Sequence, residues 1–156
     1  MDEIIFEVIV LILYDVIEYI QGKIDADEDL PEGIKVLEAF KYAHKTNKSE
    51  IQVSIIDHTE FVRFTTFEDG KVYISPLQFN VFATQMKIGE ETVSAQKAAY
   101  ILAQKIIDWL NVIDLHAEIP EVLGARNGTY SSGRPFDIGT VLYQTVVRID
   151  LYLESI

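Results

Sequence analysis

The chain has 156 residues, 49% of them hydrophobic, which is enough for one domain with a core of its own. It contains no cysteine, and this excludes disulfides, thiolate metal sites and a thiol nucleophile. Thirteen basic residues against 25 acidic ones give a formal charge of −12, a balance that repels nucleic acid and anionic membrane on average and points to a protein partner.

Residues 3–20 read as a helix. The acids Glu3, Glu7, Asp15 and Glu18 gather on one side, and Ile4, Ile5, Val8, Ile9, Ile12, Leu13, Val16 and Ile20 fill the rest. That apolar face is wider than the stripe of an ordinary surface helix. It suits a core helix, or a helix that touches both its own core and a neighbouring subunit. The segment opens on acids and lacks a basic leader and a small-residue cleavage site, so it does not read as a signal peptide. Glu7, Asp15 and Glu18 make it costly as a membrane span.

Residues 22–33 read as an acidic, turn-rich loop (Asp25, Asp27, Glu28, Asp29, Pro31, Glu32, Gly33) without the spacing of a calcium-binding loop, and no metal is assigned there. Residues 34–45 suit a short helix with Leu37, Phe40 and Ala43 inward, or an extended piece.

After a polar break at 46–49, Ile51, Val53 and Ile55 alternate with polar residues, as in a half-buried strand. Residues 61–67 read as a second strand, and Asp69-Gly70 as a tight hairpin turn. A third strand starts at Val72. Pro76 and the inward residues Val72, Ile74, then Leu77, Phe79, Val81 and Ala83, predict a change of face or a bulge at the proline.

A polar turn at Gly89-Glu90-Glu91 leads into the most secure element, a helix over about 90–111 with Ala95, Ala99, Leu102, Ile106 and Leu110 in one stripe. Acids at its start favour the positive end of the helix dipole. Small residues Ala95, Ala98, Ala99 and Ala103 let it lie close on a sheet, with Gln96, Lys97, Gln104, Lys105 and Asp108 outward. A strand is expected within 112–118, ended by Pro120. Residues 124–139, with four glycines, read as one long loop.

The closing strand, 141–153, puts Val141, Tyr143, Thr145, Val147, Ile149, Leu151 and Leu153 on one face and Gln144, Arg148, Asp150 and Tyr152 on the other. At roughly 3.3 Å per residue it exceeds 40 Å, so it is bent or pairs beyond the domain. The whole predicts a single α+β domain. Its sheet is mainly antiparallel, with a mixed sheet left open, and has four or five strands packed by the long amphipathic helix and the N-terminal helix.

No residue set carries convincing chemistry. Asp57-His58 and His116 with Glu118 pair a carboxylate with an imidazole, but neither spacing matches a known mechanism, and a surface or structural histidine is the plainer reading. His44 suits a helix end. Ser131 and Ser132 lack a nucleophile elbow, and the glycines fit neither phosphate-cradling nor dinucleotide patterns. Catalytic, cofactor-binding and metal residues are therefore assigned as none. Arg126 and Arg134 suit phosphate, or the carboxylates of an acidic neighbouring copy, which the charge balance favours.

The order of an N-terminal helix, several strands, the strand Gln78-Phe79-Asn80-Val81-Phe82-Ala83, an alanine-rich helix and the late strand Tyr143-Gln144-Thr145-Val146-Val147-Arg148-Ile149-Asp150-Leu151 resembles the lambda-type tail-terminator and head–tail joining proteins of long-tailed bacteriophages. The resemblance covers about residues 50–154. It implies a non-catalytic virion protein without cofactor or membrane. Such a protein is made in the bacterial host cytoplasm and assembles into a ring, typically a hexamer, on the tail tube or head connector. DNA would pass an acidic lumen without specific binding. On that reading the self-assembly surface is expected to use Arg126, Tyr130, Arg134, Phe136, Arg148 and Tyr152. Two other classes stay open: an acidic module, immunity- or antitoxin-like, that neutralises a basic partner, and a small hydrolase using His58 or His116.

Overall fold

A computed structural model describes residues 3–39, 48–55, 72–110, 114–130, 134–137 and 141–154. The sequence-predicted strand at 61–67 and its hairpin turn lie outside the described residues. Among those described, the chain runs α1 (Glu3–Ala26), β1 (Lys35–Glu38), β2 (Glu50–Ile55), β3 (Val72–Ala83), β4 (Met86–Ile88), β5 (Glu91–Val93), α2 (Ala95–Leu110), α3 (Asp114–Glu118), β6 (Val122–Tyr130), β7 (Arg134–Asp137) and β8 (Val141–Glu154). It is an α+β domain. The main sheet is ordered β1-β2-β3-β8-β6, with β7 also paired to β8, and a small β4-β5 hairpin stands apart. The sheet is mixed, because β1 runs parallel to β2 while every other pairing is antiparallel.

The centre of the sheet follows from strict alternation. Ile51 and Val53 of β2, Leu77, Phe79, Val81 and Ala83 of β3, and Val147, Ile149, Leu151 and Leu153 of β8 are all buried on one face. Helix α2 lies on this face against β3, β8 and β6. Its buried stripe, Ala95, Ala98, Ala99, Leu102, Ala103, Ile106, Ile107 and Leu110, contains every residue the sequence placed inward. The alanines permit the close approach. Apolar burial of this kind stabilises a fold by about 25 cal/mol per Å² removed from water.

Gly128 in β6 marks the tightest point. A Cβ there would stand 3.0 Å from Ile107 Cγ2, so any side chain at 128 would require the Ile107 side chain to give way.

Several expectations are corrected. The first helix continues past residue 20 to Ala26, through Gly22, because Ile24 is buried and Gln21 is anchored. The Gln21 amide donates to Ile34 O at 3.0 Å and accepts from Val36 N at 2.8 Å, occupying the outer backbone edge of β1. Of the two readings of 34–45, the extended one holds for residues 35–38, a strand paired with β2 in which Val36 is buried and Leu37 is 42% exposed, while Phe40 and Ala43 lie outside the described residues.

Pro76 causes no change of face. The β3–β8 register runs unbroken from Val72↔Glu154 to Ala83↔Tyr143, and Ser75, not Ile74, takes the core side. The long helix starts at Ala95, later than expected. Glu91 belongs to β5, and Ser94 caps the helix, its Oγ accepting from Lys97 N at 3.2 Å.

The strand expected within 112–118 is replaced by α3, which buries Leu115, and by Ile119 just after it, buried one turn on with its N–H bonded to Leu115 O at 2.8 Å. The expected loop over 124–139 is mostly strand. β6 and β7 both pair with β8, and the glycine-bearing stretch is absorbed by register shifts between Val122 and Gly124 and between Arg126 and Thr129. β8 is thereby paired on both edges within its own chain, which removes the expectation that it extends beyond the domain.

Candidate interaction surfaces

The sheet face away from α2 carries polar side chains on three strands, beside the buried Phe82 and Leu142. Gln52 and Asn80 on this face are buried, Glu50 is 5% exposed, and Gln52 Nε2 donates to Glu50 Oε2 at 2.6 Å. The row continues through side-chain amides. Gln78 Nε2 and Gln144 Nε2 both donate to Asn80 Oδ1, at 3.2 and 3.4 Å, and Arg148 Nε donates to Gln78 Oε1 at 3.2 Å. Buried polar groups persist only when paired: the Gln52–Glu50 bond is made within β2, and the row from Gln78 and Asn80 to Gln144 and Arg148 ties β3 to β8. Towards Arg148, which is exposed, the row opens to solvent.

The six residues expected to form a self-assembly surface fall on the β6–β7–β8 part of the sheet. Arg148 and Tyr152 belong to the polar face of β8. Backbone register sets Arg126 opposite Asp150, Arg134 opposite Gln144 and Phe136 opposite Leu142, all β8 positions of that same face. Tyr130 is opposite Val147, a core-face position, and so departs from the set. The side chains of Arg126, Tyr130, Arg134 and Phe136 lie outside the described residues. The glycine loop that was to carry the arginines is therefore a sheet margin.

A second surface lies on α1, the helix whose wide apolar face suggested contact with a neighbouring subunit as well as with its own core. The outward flank of α1 exposes Leu11 (63%) and Tyr14 (43%). Tyr14 is tied to the end of β1 by a hydrogen bond to the Glu38 carboxylate, which raises the phenol's pKa above its usual value. Farther along, α1 and α3 enclose an open groove of about 460 Å³ lined by Asp15, Glu18, Tyr19, Glu118, Pro120 and Glu121. Tyr19 donates its hydroxyl to Trp109 O at 3.2 Å, and the Lys23 ammonium lies 5.4 Å from its ring centre. The wide apolar face of 3–20 hinted at this surface. The acidic groove was hidden because its second wall, α3, was misread as a strand.

On the far side of α1, Lys105 reaches from α2 to Asp27 at 2.7 Å and pins the loop that follows α1. Burial raises the Asp27 pKa, but hydrogen bonds from Lys105 and the Asp29 backbone, with the nearby positive charge, more than offset it and leave the carboxyl below its usual value.

His116 lies on the surface, its Nδ1 2.8 Å from the Val122 carbonyl as a backbone anchor, and no carboxylate pairs with it among the described residues. His44, His58, Ser131 and Ser132 lie outside them. No group of three or more His, Asp or Glu side chains among the described residues is arranged to hold a metal ion. No helix among them is long and apolar enough to cross a membrane. Comparison with known families and with curated proteins finds no match.

Proposed function

We propose that this chain is a structural subunit of a long-tailed phage virion. It assembles with copies of itself into a ring, typically of six, that closes the tail tube or joins it to the head connector. The observation that carries the reading is the two-sided helix α1, which buries Ile12, Val16 and Ile20 in its own core yet leaves Leu11 and Tyr14 exposed. A neighbour's surface would cover that flank. The order of elements, with the alanine-rich α2 laid against a long closing strand, supports the same reading. The formal charge of −12 suits a lumen through which DNA slides without binding. Negative-stain electron microscopy of the purified protein tests it: rings with a central hole are expected, and a field of single small particles at micromolar concentration would argue against it.

The acidic binding module is favoured by one observation, the groove where Asp15, Glu18, Glu118 and Glu121 converge. That reading predicts a monomer that captures a basic protein and forms no ring.

A further inference from the structure

The outward flank of α1 and the open end of the polar sheet face carry complementary groups. Along α1, Leu11, Tyr14, Asp15, Glu18 and Gly22 recur at spacings of three and four, and all are exposed. The stripe is apolar at its start and acidic farther on, and neither Asp15 nor Glu18 forms an ion pair among the described residues. On β8, Arg148 is exposed and, among the described residues, donates only to the neutral amide of Gln78. A guanidinium without a carboxylate partner is unexpected in a chain with 25 acids and 13 bases. Tyr152 lies four residues farther along the same face and is half-buried. Between them stands Asp150, whose register partner is Arg126.

The distances match. Glu18 and Leu11 are about 10 Å apart along a helix, and Arg148 and Tyr152 are about 13 Å apart along a strand. We infer that the outward flank of α1 in one subunit docks on the open face of β8 in the next copy. Arg148 then meets Glu18 and Asp15, and Tyr152 covers Leu11 and Tyr14. The contact joins two different surfaces of the same chain, so it is heterologous and closes into a ring when its rotation allows. This inference rests on the ring reading and adds to it the two surfaces that touch.

Sedimentation velocity of four proteins tests it: the native chain, Arg148→Glu, Glu18→Arg and the double variant. The native chain is expected to sediment as a multi-subunit species. Each single reversal is expected to reduce it to the single-chain mass of 17.8 kDa, and the double variant to restore assembly. Leu11→Asp, on a side chain 63% exposed, is expected to dissociate the assembly as well, and circular dichroism matching the native spectrum shows that the fold survives. If the native chain assembles and the reversed variants assemble equally well, the docking contact is wrong while the ring stands. If the native chain is itself a monomer, the ring reading fails and the contact fails with it.

Discussion

The two faces of the central sheet are made by the same strands and have opposite characters. Towards α2, β3 and β8 present Leu77, Phe79, Val81, Val147, Ile149 and Leu151, closed over by a helix with four buried alanines. On the other side the same strands present Gln78, Asn80, Gln144 and Arg148, tied into one hydrogen-bonded row. The first face holds the fold by burial, which is non-directional and tolerant. The second holds register by directed bonds and ends in exposed charge, which is where a partner can be recognised. Stability and recognition are thus separated by the two-residue period of the strand.

That separation is most directly broken from the apolar side. Phe79→Ala, at a fully buried side chain, is expected to cost about 3–5 kcal/mol of unfolding free energy in a denaturant titration. An equivalent change on the polar face, Gln144→Ala, is expected to cost far less, near the ~1 kcal/mol of a single hydrogen bond. Equal losses would mean that the amide row shares the burden of the core.

Gly128→Val sharpens the comparison at the sheet margin, where a Cβ would stand 3.0 Å from Ile107 Cγ2. Overpacking there is expected to cost about 1–3 kcal/mol, read as a lowered denaturant midpoint.

The Lys105–Asp27 pair gives a smaller, pH-dependent effect. The folded pKa of Asp27 is below its ordinary value of 3.8, so the stabilisation is present in full above that value. It is lost as pH falls below 3.8 through the folded pKa. Asp27→Asn is therefore expected to lower thermal stability at pH 7 by about 1 kcal/mol and to narrow its difference from the native chain as pH falls below 3.8.

The smallest effect is expected at Thr145, whose hydroxyl is buried in the core face without a hydrogen-bond partner. Thr145→Val keeps the shape and removes the unpaired group, so it is expected to be neutral or to raise stability by up to about 1 kcal/mol. A loss of more than that would show that the hydroxyl has a role in the core.

These regions also differ in how far the sequence disclosed them. The α2 stripe and the alternation of 141–153 were legible because each element obeys a single period over many residues; burial matches the α2 stripe and Thr145, Val147, Ile149, Leu151 and Leu153 of β8, while Leu142 on the other face is buried as well. The short pieces were not. Residues 35–38 form a strand because β2, 15 positions on, pairs with one edge and Gln21, 15 positions before Val36, bonds the Val36 N–H on the other, partners that no local window contains. Residues 114–118 form a helix around one buried position, Leu115, with Ile119 buried just beyond its end.

Gly124 to Gly139 read as a loop because glycine and serine clusters favour turns. Pairing with β8 overrode that tendency by admitting bulges. The candidate surfaces inherited these errors. Arg148 and Tyr152 were placed correctly from periodicity, while the groove between α1 and α3 required a contact between segments a hundred residues apart.

The central claim is that the exposed flank of α1 is covered by another copy of the chain. Light scattering of the purified protein across a concentration series at moderate salt tests it most directly. The account predicts a mass of about six chains that holds on dilution, as a closed ring should. A constant mass of 17.8 kDa at every concentration would contradict it and give the acidic groove, not the ring, the first claim on this protein's function.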